Sequence, residues 1–457
     1  MPGDSREVPG AVLVDPTTRH VSLELDDPLV DGRPLDLSSH PVIHGQLIDG
    51  TPVALLDCFQ TRAGLSRKVE QPGGASYYCG LFVHGASVNA NEQYSQFTLN
   101  LTDLVTWVGQ RGFQLTSDLS ATPPVFAAKT VAPFLAEADT SRGTVRLRSG
   151  PAFSGGHRSA EFRTRARIEV LPQGEVTLSE IMSRYVRPLQ DLLTIAVGRP
   201  QEVTTLRVVP SRNVRPGDPP RGDRDWAEVT FPRWSEGTAI AEATFPSQML
   251  FSLSDIAGSL SASLDAWFRL DDEVHQLRSL VTAPAYRSGM FLDQRFLYAV
   301  HAIETYHRRR IGGYERTKED HARLIREIMS TVPEQHRQWL KAALAFSNEL
   351  SLLQRLCDIR SKVCERTEHV LSTIDHWEQW VRDTRNWNTH FTKSQKKSHV
   401  AEDERLLPLT ESLLLVLDDI VLLALGLSDL ARNQLLARTA RYLYVSQLIR
   451  AYDWAAL

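Results

Sequence analysis

Cysteine is scarce in this chain, and its scarcity rules out a class of folds. Cys58, Cys79, Cys357 and Cys364 are too few among 457 residues for a disulfide framework. Cys357 and Cys364 lie seven apart, so on a continuous helix they would share one face as small core residues. No CxxC cluster offers metal-ligand spacing. His369 and His376 are also seven apart, wider than the i, i+4 pair of a zinc-binding helix. No metal and no cofactor is expected.

Long apolar runs are missing too. Met1–Arg6 has no secretory h-region. The greasiest stretch, Leu413–Leu427, is interrupted by Asp418 and Asp419 and is too short for a bilayer. The expectation is a cytoplasmic protein with no membrane partner. Positive charge is not in excess: the net charge is −4 and the pI near 6.4, so any nucleic-acid contact must come from a local patch. Phosphate-cradling GxxxxGK and GxGxxG loops are missing, and Phe153–His157 is no nucleophile elbow.

What is present is ordinary globular composition, 42% hydrophobic and 23% charged, in a chain long enough for two or three domains. The first half is β-rich. Short alternating or β-branched runs (Val21–Leu25, Val42–Ile48, Val53–Cys58, Tyr77–His84, Ser95–Leu101, Thr144–Leu147, Glu161–Val170) are separated by Gly, Pro, Asp and Asn. Asp49-Gly50 marks a hairpin between two of them. One helix interrupts the pattern, opened by a capping box from Thr177 to Glu180 and closed at Gly198. Strands resume at Thr204–Val209, Ala227–Phe231 and Thr238–Thr244, around an exposed excursion at 210–225.

Beyond Ser252 the pattern becomes helical. Phe291–Arg310 is the clearest amphipathic segment, with Phe296, Val300, Ile303 and His307 on one stripe and Gly312-Gly313 as its stop. Helices follow at Lys318–Ser330, Pro333–Phe346, Leu350–Thr367 and Leu371–Thr384, then an apolar one near Asp403–Leu425 and another at Ser428–Ala440. The fold expected is α+β in two domains. A flexible stretch at 1–15 precedes a mostly antiparallel, sandwich-like β domain over 16–250. An all-α bundle over 251–457 follows.

The chemistry concentrates after the Leu371–Thr384 segment. Arg385, Asn386 and His390 place a guanidinium, an amide and an imidazole in six residues, followed by Lys393, Lys396, Lys397 and His399. An arginine that grips a phosphate and a histidine that moves a proton are the minimum for cleaving RNA without a metal. Arg385 and His390 are five apart, about 140° around an ideal helix. Either the helix gives way here or the two side chains meet groups from another subunit. The plain alternative makes Arg385 a solvated helix residue and His390 a loop histidine on a carbonyl. Glu304, at the edge of its buried stripe, either orients His390 or Arg385 or pairs with Arg308 at i, i+4. Arg308–Arg310 and Lys393–Lys397 are solvated charge or, beside such a site, phosphate contacts. Trp377, Trp380 and Trp387 are read as core and interface aromatics rather than a base-stacking platform.

Three stretches of the helical half, Phe291–His307, Val381–His390 with its RN-x3-H motif, and Leu422–Leu427, resemble the Apea-like HEPN family. His44–Leu47, Val53–Leu56 and Phe97–Trp107 are similar to the domain that precedes it in ApeA-like anti-phage defence proteins. The resemblance covers most of residues 15–440. It implies a metal-independent ribonuclease acting on an RNA substrate, with a site composed across a homodimer. His390 would move the 2′-hydroxyl proton, Arg385 would hold the phosphate, and Asn386 and Glu304 would position them. Lys393, Lys396, Lys397 and Arg382 would contact RNA. The β-rich half would sense a phage-derived trigger or restrain the site. HEPN proteins that bind without cutting leave a second expectation, a non-catalytic module holding RNA or a nucleotide.

Overall fold

The computed structural model describes residues 7–27, 29, 39–63, 74–156, 158–213, 226–234, 245, 248–287, 289–390 and 399–454, apart from the His390 side chain. The expected strand at Thr238–Thr244 and most of the 210–225 excursion lie outside them. The chain divides into two compact units, Met1–Phe268 with Ala285–Ser288, and Arg269–Pro284 with Gly289–Leu457. The division falls inside the helix Leu260–Glu273 rather than at residue 250.

In the first unit the β-rich half is present, and every strand pair is antiparallel. Among the described residues twelve strands form one branched sheet, and Phe113–Asp118 pairs separately with Val125–Thr130. Its main path runs Gly10–Val14, Val21–Leu25, Ala75–His84, Ala227–Thr230, Val203–Pro210, Gln93–Leu101, Ala160–Pro172, Gly143–Gly155 and Phe134–Thr140. Pro52–Ala63 pairs with Ala75–His84 and carries Ser39–Gln46, while Val176–Thr177 pairs with Gln93–Leu101. Gly10–Val14 lies in the stretch expected to be flexible. It is ordered by full antiparallel pairing with Val21–Leu25, which satisfies its backbone groups.

Asp49 and Gly50 sit in the turn between Ser39–Gln46 and Pro52–Ala63, where Gly50 takes φ 87° and its N–H reaches the Leu47 carbonyl at 2.9 Å. The capping box forms as read: Thr177 Oγ1 accepts the Glu180 N–H, and the Glu180 carboxylate accepts the Thr177 N–H at 2.8 Å. A π-helical turn, Ile181–Val186, leads into Arg187–Val197, which ends at Gly198 with φ 78°. Leu189, Leu192 and Leu193 of that helix meet Val145, Leu147 and Ile168 of the sheet around a gap of about 20 Å3. Phe97 and Tyr185 complete the core edge to face at 5.4 Å.

The second unit is helical. Its central helix, Leu406–Ala424, is buried on nearly every side, including Thr410, Ser412 and Asp419. Each apolar side chain so buried contributes roughly 1.5–3 kcal/mol, which makes this helix the organising element. Asp419 would be costly there alone; it pairs with Arg432 and accepts the Cys364 N–H at 2.8 Å. The expected helix Leu350–Thr367 is therefore two, Leu352–Arg360 and Glu365–Leu371. The break is held by tertiary bonds, since the Lys362 carbonyl accepts from Arg432 while Cys364 binds Asp419. Cys364 is buried at that break while Cys357 is exposed, so the two do not share a core face. A further helix, Ala440–Arg450, follows Asp429–Arg438 where one segment was expected.

Candidate active site

The motif is carried by the helix Trp377–His390. The expected helix Leu371–Thr384 starts later and runs further: His376 has φ 58°, and the helix begins after it. Trp377, Trp380, Val381 and Thr384 are buried at three- and four-residue steps and fix its orientation. Thr384 Oγ1 accepts the Ala401 N–H at 2.8 Å, tying the returning chain to the same face. Trp380 lies edge-on to His399 and Trp454 and beneath Arg405, which makes it core.

The helix does not give way at the motif. Thr389 Oγ1 donates to the Arg385 carbonyl at 2.7 Å, and helical backbone continues to His390. On that backbone positions 385 and 390 lie about 140° apart around the helix axis. The His390 side chain and Lys393, Lys396 and Lys397 lie outside the described residues.

Around Arg385 the structure assembles a charged chain. Glu304, on the helix Leu292–Tyr306, accepts from Arg308 at 3.1 Å through Oε1, and its Oε2 is 4.0 Å from Arg385. The i, i+4 pair with Arg308 is formed, and Oε2 stands near Arg385 beyond hydrogen-bond reach. Arg385 also donates to Asn386 Oδ1 at 3.3 Å and stays 35% exposed. Arg382 is held by Asp383 at 2.7 Å. Of the arginine run, Arg308 is tied to Glu304 and Glu349, and Arg310 to Glu273.

Sequence reasoning missed the layer behind this. Arg308 also pairs with Glu349 at 2.5 Å, and Glu349 with the buried Arg355 at 3.4 Å. Burial and the neighbouring Arg308 push the Arg355 guanidinium below its usual value, opposed by Glu304, Glu349 and Asp358. Burial also opposes charge on Arg308, but Glu304 and Glu349 outweigh it and hold that group above its usual value. Arg355 donates to His307 Nδ1 at 3.3 Å, so Nε2 carries the imidazole proton and donates to Asp358 at 2.9 Å. His307 opens a π-helical turn, His307–Ile311, closed by Gly312. The one sequence signal was an ionisable residue inside an apolar stripe, which requires a buried partner.

These elements coincide with known families. Residues 1–267 match the family model for ApeA N-terminal domain 1, and residues 297–430 match Apea-like HEPN. The chain belongs to the ApeA family. Glu304, Arg385 and His390 all fall within its HEPN-matching region, which ties the chain to nuclease or RNA-related effectors of that family. No curated protein and no solved structure matches the chain. Among the described residues no helix is long and apolar enough to cross a membrane, and no cluster of His, Cys, Asp and Glu suits a metal ion.

Proposed function

We propose that this ApeA-family chain is a metal-independent endoribonuclease, a toxic effector of anti-phage defence acting in the cytoplasm. One observation carries the reading: a half-exposed Arg385 guanidinium is steadied by Glu304 and Asn386 on the helix that also bears His390. A guanidinium fixed this way can neutralise charge on a phosphodiester in its pentavalent state.

In the proposed reaction the His390 imidazole takes the proton of a ribose 2′-hydroxyl. The 2′-oxygen attacks the adjacent phosphorus, and the P–O5′ bond breaks. The leaving 5′-oxygen takes a proton from a second copy of the motif, leaving a 2′,3′-cyclic phosphate and a 5′-hydroxyl. Because Arg385 and His390 diverge on one unbroken helix, the reading requires a homodimer that delivers two motifs to one linkage. Arg382, Lys393, Lys396 and Lys397 would contact the RNA backbone. The β-rich half would sense the phage-derived trigger or hold the site silent.

Growth arrest on overexpression, relieved by His390→Ala with expression unchanged, tests this. Arrest that persists in the variant defeats it. A binding-only module would instead show Arg385→Ala and Lys396→Ala weakening RNA binding alike, with intact RNA recovered throughout.

A further inference from the structure

The sheet of the first unit has a second face, turned away from its core, and that face is not neutral. Leu147, Ile168, Leu99 and Leu206 alternate inward along four adjacent strands. The residues between them open a depression of about 670 Å3, lined by Arg148, Arg165, Arg167 and Arg207 and walled by Pro133 and Pro151. Thr98 also lines it, only 8% exposed. The volume is in the range of small-ligand sites.

Register makes the placement costly. Arg148 stands directly opposite Arg167, and like charges opposed across strands destabilise a sheet. Glu169 relieves only part of this. It binds Arg148 at 2.6 Å and Gln96 at 2.5 Å, which leaves it spent. Arg207 is 3.6 Å from Glu228. Arg165 and Arg167 have no ion-pair partner among the described residues. The chain as a whole is acidic, so this is a local concentration of positive charge.

Guanidinium forks match phosphate oxygens two at a time. No aromatic ring lines the depression, so it offers no platform for stacking a base. We propose that this depression binds a ligand carrying two or more adjacent phosphate groups, gripped by Arg165 and Arg167 with Arg148. Two sources share that chemistry, a nucleoside di- or triphosphate and the backbone of a nucleic-acid strand. All of its lining residues belong to the first unit.

The test uses the full chain with two probes: ATP by calorimetry, and a fluorescein-labelled single-stranded DNA of about twelve nucleotides by anisotropy. DNA lacks the 2′-hydroxyl, so the proposed nuclease would leave the probe intact. The variants are Arg165→Glu/Arg167→Glu, both on exposed unpaired side chains, and Arg323→Glu on the helix Lys318–Thr331 of the other unit as control. Wild type is expected to bind at least one probe. The double variant should weaken it at least about tenfold and lower the slope of log K against log salt by about two, while the control changes neither. Preference for ATP assigns the free nucleotide, and preference for DNA assigns the backbone. The proposal is overturned if wild type binds neither probe below about 1 mM, if the double variant binds as wild type does, or if a polyglutamate peptide displaces the probe equally well.

Discussion

Glu304 divides its carboxylate between two arginines, Arg308 one turn along its own helix and Arg385 on the helix Trp377–His390. The motif arginine is thus approached from another element, and Arg308 in turn is steadied by Glu349, which also pairs with Arg355 behind it.

That linkage has a kinetic consequence. Arg385→Ala should lower the rate of RNA cleavage by about 10²–10³, the usual loss for one charge-stabilising donor. Glu304→Gln should cost less, because it loosens the guanidinium without removing it. The double variant should be no slower than Arg385→Ala alone, since both changes act through one group. Initial rates on a defined RNA measure it; additive losses would show that Glu304 acts elsewhere.

Asp419 and Arg432 form a deeply buried ion pair of the helical unit, 0% and 2% exposed at the side chains. Arg432→Met strands a carboxylate that also holds the Cys364 N–H. The expected loss is about 3–5 kcal/mol, read from the urea midpoint. Asp419→Leu together with Arg432→Met should recover most of it, because the cost comes mainly from the unpaired charge.

The capping box gives a pH signature. The Thr177 backbone and hydroxyl hydrogen bonds hold the Glu180 carboxyl below its usual value of 4.5. A carboxyl lowered in the folded state stabilises fully above the unfolded value, and the contribution is lost as pH falls through the folded one. Glu180→Ala should therefore melt below wild type at neutral pH, with the gap closing in acid. Thr177→Ala should cost about 1 kcal/mol at neutral pH. Thermal melts across that window decide both; a gap that widens in acid would contradict the sign.

Much of the architecture was already legible in local chemistry. The Thr177–Glu180 box, the glycine stop at Gly198 and the Gly312-Gly313 stop depend on neighbours within a few residues, and each formed where the sequence placed it. The change from two-residue to three-and-four-residue periodicity separated sheet from bundle for the same reason. The Arg385-Asn386 and His390 motif could be found by its residue types alone. What local chemistry misjudged was decided by distant partners: Gly10–Val14 is a strand because Val21–Leu25 pairs with it. The helix after Ser351 breaks because Asp419 and Arg432 satisfy its open backbone groups.

By itself, then, the sequence determined two folding grammars and their punctuation, since each is set by short-range sterics and hydrogen bonding. Only the tertiary structure decided that Glu304 reaches Arg385, that His307 is locked between Arg355 and Asp358, and that Arg148 faces Arg167 across a sheet. Those are through-space electrostatic relations between side chains far apart along the chain, and no local pattern encodes them.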